Sequence, residues 1–145
     1  MTAPVTIHAG AARVGTRGVL IRGASGSGKS SLLLSLVVGP GDAMLVADDR
    51  VIVAANGGRL VAAVPEAIAG QMEVRGVGIV RRPHVSPVPV DLVVDLLPLA
   101  ECPRLPDAAE KRTVIEGIAV PRIFIAVGAV DGPARVRAAL ADMSG

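Results

Sequence analysis

The run Gly23-Ala24-Ser25-Gly26-Ser27-Gly28-Lys29-Ser30 fits the pattern G-x-x-x-x-G-K-[ST] at every position, and no other feature constrains the fold as tightly. Such a loop works only where a strand delivers the chain to it and a helix carries the chain away. Both flanks are predicted: Gly18-Val19-Leu20-Ile21-Arg22 is a short β-branched run, and residues 29–38 have helix-forming character until Gly39-Pro40-Gly41 stops them. Glycines permit positive φ, so successive amides converge on phosphate oxygens, and the helix N-terminus adds partial positive charge. Lys29 brings a full charge to terminal phosphates, and the Ser30 hydroxyl suits a magnesium ion.

Composition narrows what can surround that loop. With 145 residues, 51% of them hydrophobic, residues 1–145 are expected to form one domain with ample material for a core. Phe124 is the single aromatic residue, which argues against reading single-stranded nucleic acid by stacking. Fifteen Lys+Arg against thirteen Asp+Glu leave a net charge of +2, scattered rather than clustered, so no nucleic-acid partner is expected. Every apolar stretch is broken by Gly, Pro or a charge well short of the ~18 residues a membrane span needs, so no membrane is expected either. The segment Met1-Thr2-Ala3-Pro4-Val5-Thr6 lacks the features of an export signal, and the lone Cys102 allows no internal disulfide. A cytoplasmic location is the expectation.

Further along, residues 43–47 predict a buried strand ending at Asp48 and Asp49. Residues 51–55 and 60–64 flank Asn56-Gly57-Gly58, the strongest hairpin signal in the chain. Pro65-Glu66 opens a short helical segment that Gly70 closes, and residues 71–80 predict one strand bent at Gly76 to Gly78. The proline-rich stretch 81–89 is expected to be an exposed loop. Strands are predicted over 90–97, 113–120 and 121–127, and an amphipathic helix over 133–143, where Val136, Ala139, Leu140 and Met143 share a face.

Strand carboxyl ends gather around the ligand in open α/β sheets, which draws attention to Asp48 and Asp49. Adjacent strand residues point oppositely, so one of the two is expected to aim at the reaction centre, as a magnesium holder or as a proton acceptor. An acidic turn is the alternative. Glu73 and Arg75, two apart, share a face on a strand and are equally consistent with a surface ion pair or a functional pair. His8 before Ala9-Gly10 is by default a solvated loop histidine, and the same holds for His84 and Arg104.

Taken together, His8, the phosphate loop, Leu45-Val46-Ala47-Asp48-Asp49-Arg50-Val51, Met72-Glu73-Val74-Arg75-Gly76-Val77-Gly78-Ile79 and Arg104-Leu105 resemble the C-terminal catalytic domain of the HPr kinase/phosphorylase family. The fourth segment is close to a family signature, E-[VI]-R-G-[LV]-G-[IV], and the likeness runs from about Val5 to Val127. It implies an α/β phosphate-loop kinase domain of the phosphoenolpyruvate carboxykinase-like fold, a mixed sheet with flanking helices. It also implies ATP and Mg²⁺ as cofactors, bound through residues 23–30 with Lys29 and Ser30. Asp49 would accept the proton of a substrate serine, and Glu73 would help Ser30 hold magnesium. His8 and Arg104 would lie around the transferred phosphate. The implied substrate is HPr or an HPr-like phosphocarrier protein, and the implied assembly is a homo-hexamer.

Two departures shape the expectation. The chain begins almost at His8, so it resembles a short form made of the catalytic domain alone. Where the family carries an R-P-G-R-N-like segment for phosphate removal, this chain reads Val127-Gly128-Ala129-Val130-Asp131-Gly132, so weak phosphorylase activity is expected. A kinase of a small-molecule hydroxyl and a non-catalytic ATP-binding regulator stand as the alternatives.

Overall fold

The structure, a computed structural model, describes residues 3–39 and 41–144. Met1 and Thr2 of the segment read for export, and Pro40 of the expected helix stop, lie outside the described residues. Strands β1 (Val5–His8), β2 (Gly10–Val14) and β3 (Arg17–Gly23) lead into helix α1 (Lys29–Val38). Then come β4 (Ala43–Ala47), β5 (Arg50–Asn56), β6 (Arg59–Ala63), β7 (Gln71–Val74), β8 (Gly78–Arg81), β9 (Val88–Pro89), β10 (Leu92–Leu97), β11 (Arg112–Ile115) and β12 (Ile118–Ala126). Helix α2 (Gly132–Ser144) closes the described chain.

A six-stranded sheet, ordered β11-β12-β10-β3-β2-β4, forms the middle layer. It is mixed: β10 runs parallel to β3 and β12, whereas β2 runs antiparallel to β3 and β4. Because successive strand residues face opposite sides, the unbroken run Val19-Leu20-Ile21 buries itself twice. Val19 and Ile21 pack toward α1 and α2 with Leu33, Leu36, Val94 and Val136, and Leu20 packs toward the four-stranded sheet β1-β5-β6-β9 with Val51, Val53 and Leu60. A helical layer, a mixed sheet and a second sheet result.

Strand direction decides where the site can be. The parallel strands β3 and β10 end at one sheet edge, with Gly23 paired to Leu96, and β12 ends there with Ala126 paired to Leu97. Since β4 and β3 are both antiparallel to β2, β4 also ends at that edge, and β2 begins there. The phosphate loop, the chain after Ala47, the chain before Gly10 and the segments after β10 and β12 therefore share one rim of the sheet.

Two expectations are corrected and a third is refined. Residues 71–80 are not one bent strand but a hairpin, β7 against β8, turning at Arg75-Gly76-Val77 through a Val77 amide bond to the Val74 carbonyl of 2.9 Å. Arg75 thus leaves the strand and does not share its face with Glu73. The expected strands 113–120 and 121–127 are cut differently: β11 turns at Glu116-Gly117, both at positive φ, and β12 runs straight through Pro121. Proline is tolerated because the Arg122 amide bonds Lys111, so the neighbouring Pro121–Arg112 pair falls at a non-hydrogen-bonded step of the antiparallel ladder. Third, the stretch 81–89 is largely exposed, as expected, but it is pinned to the body of the fold rather than free. Arg82 donates to the Val37 carbonyl at the end of α1 (3.2 Å), Val85 donates to Leu45 (2.9 Å), and Val88 is buried as β9 pairs with the edge of β6. An edge strand that carries proline can still bury a side chain, as β9 does with Val88.

Candidate active site

The phosphate loop is held by close approach and by unused amides. A Cβ on Gly23 would collide with the Ser27 hydroxyl and crowd Leu96, so no larger residue fits where β3 meets the loop. Gly26 and Gly28 have φ of 78° and 93°, and Gly28 is the N-cap of α1. Among the described residues, the amides of Gly26, Gly28, Lys29 and Ser30 have no acceptor within the chain. Four N–H donors at a helix N-terminus make an anion cradle. The Lys29 ammonium lies over it, donating to the Gly23 and Ala24 carbonyls at 2.8 and 3.1 Å.

Asp48 joins three parts of the chain. Its side chain is buried; the Ser30 hydroxyl donates to Oδ1 at 2.9 Å, and the Glu73 amide donates to Oδ2 at 3.2 Å. The hydroxyl, the carboxylate and β7 are thus fixed together. Asp49 differs from its neighbour. It is exposed, at a φ of 69° that a non-glycine residue rarely adopts, and its carbonyl accepts the Ala9 amide at 3.2 Å. That bond, with the pairing of His8 to Arg50, brings His8 beside the Asp49 backbone. His8 and Glu73 are exposed at the same rim.

Arg104 follows the short 3₁₀ turn Leu99–Glu101, on the segment that leaves the end of β10. It is exposed, and among the described residues no hydrogen bond or ion pair ties it to His8, Lys29, Asp49 or Glu73. So the structure brings Lys29, Ser30, Asp48, Glu73, Asp49 and His8 to one place and leaves Arg104 unattached on a neighbouring segment. Asp48 was underweighted by sequence reasoning, which relied on strand alternation; the strand ends at Ala47, so alternation does not govern the pair. Asp95 was missed altogether, although a lone charge within Leu92-Val93-Val94-Asp95-Leu96-Leu97 is a visible signal. It accepts two bonds from Arg22, at 2.8 and 2.9 Å, and one from Arg122 at 3.3 Å, bracing the residue that precedes the loop.

The family described as HPr Serine kinase C-terminal domain matches residues 1–136. The chain belongs to this family. Among curated members, the HPr kinase/phosphorylase of Limosilactobacillus reuteri (strain DSM 20016) is 36% identical over 124 residues, 76% of this chain and 37% of that protein. That of Brevibacillus brevis is 46% identical over 76 residues, 52% of this chain and 24% of its own length. The chain therefore spans little more than a third, or less, of these HPr kinase/phosphorylase relatives. In fold it is similar to the Hpr(Ser) kinase/phosphatase from Coxiella burnetii, with a TM-score of 0.81 at 27% identity, over 97% of this chain and 93% of that one. The mixed α/β architecture, a multistranded mixed sheet with few helices, is that of the HPr kinase C-terminal domain.

Proposed function

We propose that residues 1–145 form a catalytic domain, of the phosphoenolpyruvate carboxykinase-like type, that transfers the terminal phosphoryl group of ATP to a serine of HPr or an HPr-like phosphocarrier protein. The observation that carries this is the coupling of Ser30 to Asp48 and of Asp48 to Glu73, directly beside four free loop amides. The residues fit Mg²⁺. That ion takes one or two carboxylates and fills its remaining positions with phosphate oxygens and water, and Ser30 with Asp48 offers hard oxygens 2.9 Å apart, with Glu73 adjoining. Among the described residues no group of three or more His, Cys, Asp or Glu forms a cage of its own, which suits an ion shared with substrate. When bound, Mg²⁺ neutralises charge on the phosphates and orients them.

The chain's own groups supply the rest. Loop amides and Lys29 hold the phosphates, and Asp49, exposed at the rim, takes the proton of the serine hydroxyl as its oxygen bonds to phosphorus and ADP departs. His8 lies next to that base, and Arg104, carried on the segment after β10, is the cation proposed to meet the transferred group. The exposed Val77 and Ile79 on the β7–β8 hairpin, beside Glu73, favour a protein acceptor over a small hydroxyl compound.

Phosphorylase turnover should be weak. It needs a second anion beside the first, and the segment 127–130 brings no cation. The nearby arginines are engaged: Arg135 pairs with Asp131 at 2.9 Å, and Arg122 is held by Asp95 and the Glu110 carbonyl. Incubation with labelled ATP, Mg²⁺ and an HPr-like protein, followed by mass spectrometry, should yield phosphoserine; ATP binding without transfer to any acceptor would overturn the proposal.

A further inference from the structure

Glu73 is carried by the β7–β8 hairpin, and among the described residues no other strand pairs with it. A lone two-stranded hairpin is barely stable in water, so whatever ties this one to the body also fixes Glu73. Register shows where the ties fall. The Arg82 amide donates to the Gly70 carbonyl at 2.8 Å, which makes Met72 and Val80 the next hydrogen-bonded pair and puts Glu73 and Ile79 at a non-hydrogen-bonded step beyond it. The Glu73 amide therefore points away from β8, and Asp48 Oδ2 accepts it at 3.2 Å. Met72 is buried in the same core as Leu33, Leu36 and Val37 of α1, with Val74 and Val80 packed against that core.

Helix α1 is tied to this hairpin at both ends. At its N-terminus the Ser30 hydroxyl and the Glu73 amide share the Asp48 carboxylate. Near its C-terminus the Arg82 guanidinium donates to the Val37 carbonyl at 3.2 Å. That carbonyl is one of the last that a helix leaves unbonded, and the helix dipole favours a cation there. The spans agree: Ser30 to Val37 covers about 10 Å at the rise of a helix, and Gly70 to Glu73 covers about 10 Å at the rise of a strand.

As a source of stability alone, Arg82 is a poor choice. It is half-buried, its Nε is buried with no partner, and among the described residues no carboxylate pairs with it. A buried N–H without an acceptor is costly, and an apolar side chain of similar length would avoid the cost. What only the guanidinium supplies is a directed bond from the base of the hairpin to α1. We infer that Arg82 is a positioning residue: its bond to the Val37 carbonyl holds the hairpin along α1 and so sets Glu73 at the Ser30–Asp48 pair, where Mg²⁺ would be held. This rests on the proposed kinase function and adds to it a residue acting from the far end of α1.

The test is calorimetric titration of ADP, with and without Mg²⁺, into wild type, Arg82→Met and Arg82→Lys. Arg82→Met should weaken ADP binding at least about tenfold with Mg²⁺ and less than about twofold without it, the pattern expected when a group that orients a metal ligand is lost. Lysine can still donate one bond to the Val37 carbonyl, so Arg82→Lys should return to within about threefold of wild type. No loss in Arg82→Met, an equal loss without Mg²⁺, or no recovery by lysine overturns the inference. Because methionine could unsettle α1, amide hydrogen exchange is also followed in the wild type. The Glu73 and Arg82 amides should be protected together, at least about a hundredfold over the free chain. A Glu73 amide that exchanges freely overturns the inference whatever the variants do. Wild-type ADP affinity that does not depend on Mg²⁺ overturns the magnesium reading itself, whereas Mg²⁺-dependent binding left unchanged by Arg82→Met removes only the positioning role.

Discussion

The two edges of the six-stranded sheet treat polar groups in opposite ways. At the edge where β3, β4, β10 and β12 begin, charges are answered within the chain. Asp91 accepts the Gly18 amide at 2.9 Å and the Arg59 guanidinium at 3.0 Å, with Arg17 at 3.7 Å, and Asp42 pairs with Arg137 at 3.1 Å. At the edge where the same strands end, four loop amides have no acceptor among the described residues, Asp49 stands exposed at positive φ, and the buried carboxylate of Asp48 holds residues that could bind metal. Polar groups left unanswered by a fold are costly unless water or a ligand meets them. One edge therefore reads as architecture and the other as chemistry.

The sharpest way to break this contrast is to exchange roles at the second edge. Asp49→Asn should lower phosphoryl transfer by ~10²–10⁴-fold, the usual range for a general base, with ADP affinity nearly unchanged by calorimetry. Asp48→Asn should instead weaken Mg²⁺-dependent ADP binding, because it disturbs the Ser30 and Glu73 contacts. A larger transfer loss in Asp48→Asn at saturating nucleotide would show that the base was assigned to the wrong residue.

Next in size is the response to ligand. Mg²⁺-ATP at one hundred times its dissociation constant should stabilise the wild type by about 2.7 kcal/mol, and Lys29→Ala should abolish most of the accompanying rise in melting temperature. Absence of any rise in the wild type would remove the chemistry from that edge.

The first edge should respond in stability alone. Asp91→Ala strips the Gly18 amide and two guanidiniums of their acceptor, and denaturant melts should show a loss of about 1–3 kcal/mol with nucleotide affinity unchanged. A matching loss of affinity would mean the two edges are coupled through β3.

Smallest of all is a pH effect at the same edge. The Arg137 guanidinium hydrogen-bonded to Asp42 holds that carboxyl below its usual value of 3.8. A depressed folded-state pKa means the pair contributes above the unfolded pKa and fades as pH falls through the lower folded value. Asp42→Asn should therefore lessen the acid sensitivity of folding below about pH 4, slightly, since the group is open to solvent, and leave melts at pH 7 almost unchanged.

What could be read from the residues alone was local. The loop, helix α1, strands β3 and β4 and the Asn56-Gly57-Gly58 hairpin all appear where expected, because each depends on φ requirements or a periodicity contained within about ten residues. Gly57 and Gly58, at φ of 60° and 77°, satisfy the turn by themselves. The errors fell where distant partners decide. The boundary between β11 and β12 moved to Glu116-Gly117 and β12 runs on through Pro121 because Lys111 and β10 supply the pairing on either side of it, and the largely exposed stretch 81–89 is tied down by Val37, Leu45 and β6.

The same division runs through the site. Sequence by itself determined that this chain has a phosphate loop, an acidic pair one strand later and a glutamate on a glycine-rich signature, since spacing along the chain states all three. Tertiary structure alone decided which aspartate is buried against Ser30, that the Glu73 amide closes on the same carboxylate from 25 residues away, and that His8 meets the turn at Asp49. The physical reason is that carboxylate orientation is set by hydrogen bonds between segments, and which segments meet depends on strand direction across the whole sheet, a property no single stretch of the chain contains.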